Sequence, residues 1–256
     1  MFNLEEFDIK LDTDVIGRNF VYCSEIDSTN SALLESKDFS AHGTVLLAEY
    51  QTAGRGRKDD RQWLSNKEQN LTFSILLTED FSTKNINIVS FTAALSLAQA
   101  IENLYQLKVE LKWPNDILIH KCKCAGILLE SVSKGNEISK IVIGIGINVN
   151  QPTFPGKYMI APTSIKKETK ENVSREKLLS EFLNIFEENL KISISEPAKI
   201  MNDWKSRCIM IGEKIKIEEG TKITHGIFEN VDDSGFLLLK TDKKIERIHF
   251  GDVSLR

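Results

Sequence analysis

Hydrophobic positions along the chain change period several times, and each change marks an element. Alternation over Thr44–Gln51 and a dense apolar run over Leu71–Thr78 predict two strands, the second one buried. Ile88–Leu104 switches to helical spacing, with Phe91, Leu95, Ala98 and Ile101 on one side. Short strands are predicted at Val109–Lys112, Asp116–Ile119, Ala125–Ser131 and Lys140–Asn148, and Pro152, Pro155 and Pro162 then mark a loop. Ser174 is placed to cap a helix in which Leu178, Phe182, Phe186 and Leu190 recur every four residues. A second helix opens near Pro197, tolerated in a first turn, and runs to about Arg207. From Ile209 the pattern breaks into short strand-like segments, Glu213–Glu218, Thr224–Glu229, Gly235–Lys240 and Lys243–Phe250, separated by glycines. That predicts a small β-barrel after the helices, and hence an α+β chain with one unit over 1–207 and another over 208–256.

Between the first two strands lies a long polar stretch, Thr52–Asn70, with little apolar content beyond Trp63 and Leu64. Such a connection inside a compact domain is either disordered or functional. The most apolar stretch, Ile86–Ile101, is interrupted by Asn87, Ser90, Thr92, Ser96 and Gln99, and reads as a core helix rather than a membrane span. With 33 basic against 37 acidic residues the net charge is -4, which lacks the footprint of a dedicated nucleic-acid binder. Four cysteines in 256 residues give no disulfide framework, and no secretory signal precedes them. A reduced, cytoplasmic protein is the expectation.

Four further runs carry chemistry. Gly54-Arg55-Gly56-Arg57 combines close backbone approach with two guanidiniums that fork around phosphate or carboxylate oxygens; alone it reads first as a solvated loop or an RNA-contacting segment. Lys112-Trp113-Pro114-Asn115-Asp116 is turn chemistry that displays a lysine, an amide and a carboxylate at a strand junction. Lys123-Cys124-Ala125-Gly126 opens a buried strand with room beside the backbone, and Gly144-Ile145-Gly146-Ile147-Asn148 closes an apolar strand. The last is no dinucleotide fingerprint, since its third glycine and following helix are missing; it reads as a strand passing close to another group. Ser28-Thr29-Asn30 reads first as a helix cap for Ser31–Leu34. His120, Cys122 and Cys124 alternate like strand-mates, but three candidate ligands at a hairpin read as coincidence rather than a soft-metal site.

Taken together, Ser28–Asn30, Gly54–Arg57, Lys112–Asp116, Lys123–Leu128 and Gly144–Asn148 resemble, in order, the motifs of the biotin–protein ligases. Gly212, Gly226, Gly235–Leu238 and Gly251–Ser254 resemble that family's C-terminal unit. The resemblance implies a mixed-sheet catalytic domain like that of class II aminoacyl-tRNA synthetases plus an SH3-like β-barrel. It implies ATP-dependent formation of biotinyl-5′-AMP and transfer of biotin to a lysine of a biotin carboxyl carrier protein, with Mg²⁺ assisting. By the same resemblance Ser28, Thr29, Asn30 and Gln51 line the biotin pocket. Arg55, Gly56 and Arg57 contact biotin and the adenylate phosphate, and Lys123 reaches the carboxylate–phosphate junction. Lys112 is a further cation for the phosphates, Asn115 and Asp116 sit near the nucleotide and metal, Asn148 lies on the adenosine side, and Trp63 closes over the adenylate. Lys123, Arg57 and Asp116 form the implied catalytic set.

The run after Arg57, Lys58-Asp59-Asp60-Arg61-Gln62-Trp63, departs from the family by lacking a glycine and being one residue longer. Fewer than thirty residues precede Ser28, too few for a winged helix, so a ligase without a DNA partner or a membrane partner is expected. Whether it forms a homodimer is open at this stage. Two rivals remain: a lipoate or octanoate ligase or transferase on the same fold, and a non-catalytic protein that binds the adenylate or RNA.

Overall fold

The computed structural model describes residues 1–36, 38–58, 61–78, 86–134, 137–249 and 251–255. Its main body is a mixed seven-stranded sheet: β1 (Phe20–Cys23), β2 (Val45–Ala48), β3 (Leu71–Leu77), β4 (Val109–Lys112), β5 (Asp116–Ile119), β6 (Cys122–Lys134) and β7 (Glu137–Ile147). The strands lie in the order β1-β2-β3-β7-β6-β5-β4; β1 runs parallel to β2 and every other neighbouring pair is antiparallel.

Side-chain alternation gives this sheet two different faces. On one, Leu71, Phe73, Ile75 and Leu77 of β3 join the large core. Helices α1 (Leu4–Lys10), α3 (Ile86–Tyr105), α5 (Arg175–Ser195) and α6 (Pro197–Arg207) pack there. The predicted stripe of α5 is the contact: Phe182 meets Phe73 edge-on at 5.7 Å and stacks on Phe186. Ser174 caps α5 by accepting from the Lys177 N–H, as its position predicted.

The opposite face carries Thr72, Ser74 and Leu76, and among the described residues the one helix over it is the short α2 (Thr29–Glu35), on a small cluster of Leu33, Leu46, Leu76 and Val142. Ser28 is the N-cap of α2, accepting from the Ser31 N–H. This half-covered face is where a ligand has room.

The remaining helix, α4 (Ile165–Thr169), follows the proline-marked loop. After α6 comes a five-stranded antiparallel sheet of β8 (Lys214–Glu219), β9 (Lys222–Val231), β10 (Leu237–Lys240), β11 (Ile245–Ile248) and β12 (Asp252–Leu255), in the order β11-β10-β9-β8-β12. The last residue of the predicted segment Lys243–Phe250 lies outside the described residues, and β12 is an extra strand beyond the four expected. One tie between this second sheet and the first body is the turn before β10. Trp113 Nε1 donates to the Gly235 carbonyl at 3.1 Å, and Asn87 Nδ2 to that of Ser234 at 2.9 Å. Gly235 has φ +83, and any Cβ there would strike the Phe91 ring. Among the described residues, no helix is long and apolar enough to cross a membrane.

Candidate active site

Strand register builds the floor of the site. Asp116 is opposite Gly126, Gly126 opposite Gly146, and Gly146 opposite Thr72, so one row crosses four strands on the half-covered face. The next row is Leu128, Gly144 and Ser74. The glycines make that floor low. A methyl on Gly144 would collide with the Asn30 side-chain oxygen, and one on Gly146 with the Trp63 indole. The expected close approach of this strand is thereby accounted for: Asn30 and Trp63 sit where side chains would otherwise stand.

The polar stretch after β2 folds back over this floor. Trp63 N–H donates to the Gly54 carbonyl at 3.1 Å, Gly56 N–H to that of Arg61 at 2.8 Å, and Arg61 N–H to that of Lys58 at 2.9 Å. The Gly54–Trp63 segment is thus a narrow hairpin rather than a shapeless loop; Asp59 and Asp60, part of the departure noted above, lie outside the described residues. The Trp63 indole rests on Gly126 and Gly146, and its buried Nε1–H has no partner among the described residues.

Under the hairpin is a cavity of about 150 Å³. Ser28, Thr29, Asn30, Gln51, Arg55, Gly56, Arg57, Trp63, Lys112, Asn115, Asp116 and Lys123 all line it. Of the residues expected at the site, only Asn148 is absent from the lining. It is buried behind the floor, donating Nδ2–H to the Thr163 carbonyl at 3.0 Å and backbone N–H to that of Cys124 at 2.9 Å.

Lys123 reaches the cavity because β5 and β6 are joined by a two-residue turn, His120-Lys121, with φ of 49 and 62. Two left-handed residues are what a tight hairpin of matching twist requires. Lys123 Nζ then lies 2.5 Å from Asp116 Oδ1, while Lys112 Nζ lies 3.6 Å from Asp116 Oδ2. One carboxylate is therefore held between two ammoniums. The Trp113–Pro114 bond between these groups is cis, and Asn115 Nδ2 donates to the Ile127 carbonyl at 2.7 Å. Arg55 Nη2 donates to Ser31 Oγ at 3.1 Å and to Glu130 Oε2 at 3.0 Å. Arg57 Nη2 donates to the Gly251 carbonyl at 2.5 Å. Gly251 and Val253 of the second sheet close one wall of the cavity.

Several groups were not read from sequence. Ser74 and Thr72 lie inside an apolar strand, and Glu130 continues the cavity face of β6; alternation with Gly126 and Leu128 was the available signal. His120 pairs with Glu168 at 2.7 Å, and burial pushes the Cys124 thiol far above its ordinary range. Among the described residues no cluster of three His, Cys, Asp or Glu is placed to hold a metal.

Five cations (Arg55, Arg57, Arg61, Lys112 and Lys123), one carboxylate and a glycine floor under a hairpin lid define a ligase-type site for an anionic ligand. The comparisons give its family: residues 22–148 match the biotin/lipoate A/B protein ligase family, and 210–256 the biotin protein ligase C-terminal domain. The chain is 32% identical to the bifunctional ligase/repressor BirA of Bacillus subtilis over 98% of its own length and 79% of the relative's. It is 33% identical to the biotin–[acetyl-CoA-carboxylase] ligase of Paracoccus denitrificans, over 84% and 91% of the two chains. The biotin protein ligase from Aquifex aeolicus in complex with biotin and ATP superposes with a TM-score of 0.80 at 32% identity, covering 93% of this chain and 99% of that one. This chain belongs to the biotin–protein ligases.

Proposed function

We propose that this protein condenses biotin with ATP to biotinyl-5′-AMP and then transfers biotin to a specific lysine of a biotin carboxyl carrier protein or domain. The observation that carries the reading is the convergence of Arg55, Arg57, Lys112 and Lys123 on one cavity.

The chemistry accounts for that convergence. A carboxylate is a poor acyl donor because its leaving group would be oxide. Attack of a carboxylate oxygen on the α-phosphorus of ATP expels pyrophosphate and leaves a mixed anhydride, from which AMP departs readily. Two anions must first be brought together, and preorganised cations lower that cost in a site screened from water. In this reading Lys123 faces the forming carboxylate–phosphate junction, with Asp116 fixing its ammonium between attacks. Arg55 and Arg57 bind the acid and the α-phosphate, and Lys112 the remaining phosphates. Ser28, Thr29, Asn30 and Gln51 supply the donors and acceptors a ureido ring needs. Gly56 lets the hairpin backbone approach, Asn115 faces the nucleotide, and Trp63 covers the adenylate, keeping water from hydrolysing it. Asn148 contributes from behind the floor, shaping the adenosine side. In the second step a neutral lysine amine of the carrier attacks the acyl carbon and AMP leaves.

Magnesium fits as an ion carried in by the nucleotide. Asp116 is the cavity's carboxylate, and Mg²⁺ characteristically takes one or two carboxylates together with phosphate oxygens and water. When bound it offsets phosphate charge. The catalytic unit of this proposal spans 1–207, with a sheet of the class II aminoacyl-tRNA synthetase kind; 208–256 is an SH3-like barrel that supplies the Gly251 wall. A homodimer is compatible with it.

The test is acid-dependent pyrophosphate release from Mg-ATP. Biotin is expected to drive it, and lipoate or octanoate is not; the reverse order would move the protein to the lipoate side of its family. Binding of biotin without ATP consumption would replace the ligase with a binding protein.

A further inference from the structure

Glu130 lies outside the cavity lining but touches two residues inside it. On β6 it follows Gly126 and Leu128 on the same face, two residues beyond the floor. Its Oε2 accepts from Asn30 Nδ2 at 2.7 Å and from Arg55 Nη2 at 3.0 Å. Asn30 is 4% exposed, and its Nδ2 also donates to the Leu128 carbonyl at 3.2 Å.

The hydrogen bonds continue beneath the pocket. Ser74 Oγ donates to Asn30 Oδ1 at 2.6 Å and stands 2.6 Å from Thr29 Oγ1. Since the one proton of Ser74 goes to Asn30, its oxygen can only accept from Thr29, whose hydroxyl also reaches the Gln51 side-chain oxygen at 3.0 Å. The Gln51 side-chain oxygen is held by the Thr29 backbone N–H at 2.7 Å. Thr29, Asn30 and Gln51 line the cavity, so the polarity each presents to a ligand is fixed by this chain.

We propose that Glu130 is the positioning residue of the acid-binding end of the site, its charge holding the Arg55 guanidinium and, beside the Leu128 carbonyl, the Asn30 amide. The Leu128 carbonyl accepts only and keeps the Asn30 amide in this orientation, so a neutral side chain at 130 weakens the hold on Asn30 and on Arg55 without turning the amide over. Arg55, whose side chain is 45% exposed, would keep the Ser31 hydroxyl alone among its bonds described above and lose its only ion-pair partner among the described residues. The inference rests on the acyl-activating reading of the cavity and adds to it a residue that never meets the substrate.

The experiment measures steady-state pyrophosphate release with Glu130→Gln and Glu130→Asp, varying biotin and ATP separately. Loss of charge-assisted hydrogen bonds predicts a rise of about tenfold in KM for biotin in Glu130→Gln, with KM for ATP within twofold of wild type. Glu130→Asp, which keeps the charge, lies between. A merely structural role would lower the melting temperature and the active fraction without separating the two KM values. Biotin KM unchanged in Glu130→Gln, or both KM values rising together, overturns the proposal. If Glu130→Gln does not fold, Glu130→Asp carries the test: its biotin KM must rise at least threefold, and an unchanged value overturns the role. Wild-type protein that releases no pyrophosphate with biotin would instead overturn the reading of the cavity. In that case the same KM comparison with whichever acid is active decides on Glu130.

Discussion

Arg57, on the hairpin over the catalytic sheet, donates Nη2–H to the carbonyl of Gly251 in the C-terminal sheet at 2.5 Å. A cation that the proposed function assigns to the phosphate is thus positioned by a backbone atom of the second sheet. Gly251 has φ +140, and a Cβ there would stand 2.7 Å from Ile217 Cγ2. A side chain at 251 is therefore strained and must shift that carbonyl. Gly251→Val is expected to lower adenylate formation about tenfold, the loss of one charge-assisted hydrogen bond, while the melting transition of the catalytic unit stays within a few degrees. Single-turnover pyrophosphate release checks it; an unchanged rate would show that Arg57 does not need this anchor.

Lys123 is the ammonium nearest the cavity's carboxylate, 2.5 Å from Asp116. Lys123→Ala is expected to reduce biotinyl-adenylate formation by roughly 10²–10³-fold and to leave circular dichroism unchanged, since the side chain is on the cavity and not in the core. Wild-type turnover in this variant would remove Lys123 from the chemistry.

Trp63 reports on the lid. Of the three tryptophans, Trp113 and Trp204 are fully buried, whereas Trp63 covers Gly126 and Gly146. An adenylate that uses the glycine floor must lift the indole. Adding biotin and ATP is expected to change the intrinsic fluorescence, the change is expected to vanish in Trp63→Phe, and hydrogen exchange across Thr52–Asn70 is expected to slow. Exchange that is indifferent to both ligands would contradict a closing lid.

Acid stability depends on Glu49, buried beside Arg175, which bonds both its oxygens. Burial alone would raise the Glu49 carboxyl, but the bonds from Arg175, Tyr22 and the Phe2 N–H outweigh it and hold it below the usual carboxylate range. A carboxyl depressed in the folded state contributes fully above its unfolded value of about 4.3, and that contribution is lost as pH falls through the folded value. Melting temperature is therefore expected to be flat near neutrality and to drop below about pH 4. Glu49→Gln is expected to cost about 3–5 kcal/mol at neutral pH by stranding Arg175, and to flatten the acid limb. An acid limb as steep as wild type would assign it to other carboxyls.

Much of this architecture was legible because it is periodic. The four-residue spacing of Leu178, Phe182, Phe186 and Leu190 and the dense run Leu71–Leu77 mark buried surfaces whatever their partners. The helix predicted over Ile88–Leu104 is Ile86–Tyr105, and the strand predicted over Lys140–Asn148 is Glu137–Ile147. What escaped was short or non-local. α1 buries only Phe7 in its seven residues, and β1 has four half-buried residues, so neither carries a full period. The segment Thr52–Asn70 lacks an apolar pattern because its hairpin is held by backbone bonds between Gly54 and Trp63, which composition does not record. Ser74, Glu130 and Gly251 matter through neighbours far away in sequence: Ser74 through Asn30, Glu130 through Arg55, Gly251 through Arg57. Asn148 reads as a site residue beside Gly144 and Gly146, yet its amide is turned away to Thr163.

The most direct measurement is the intact mass of a biotin carrier domain after incubation with this protein, biotin and Mg-ATP. The account predicts that the carrier gains the mass of one biotinyl group at a single lysine, only when all three components are present, and fails to gain it with Lys123→Ala. A carrier whose mass stays unchanged, or one that is modified by lipoate in place of biotin, would contradict it.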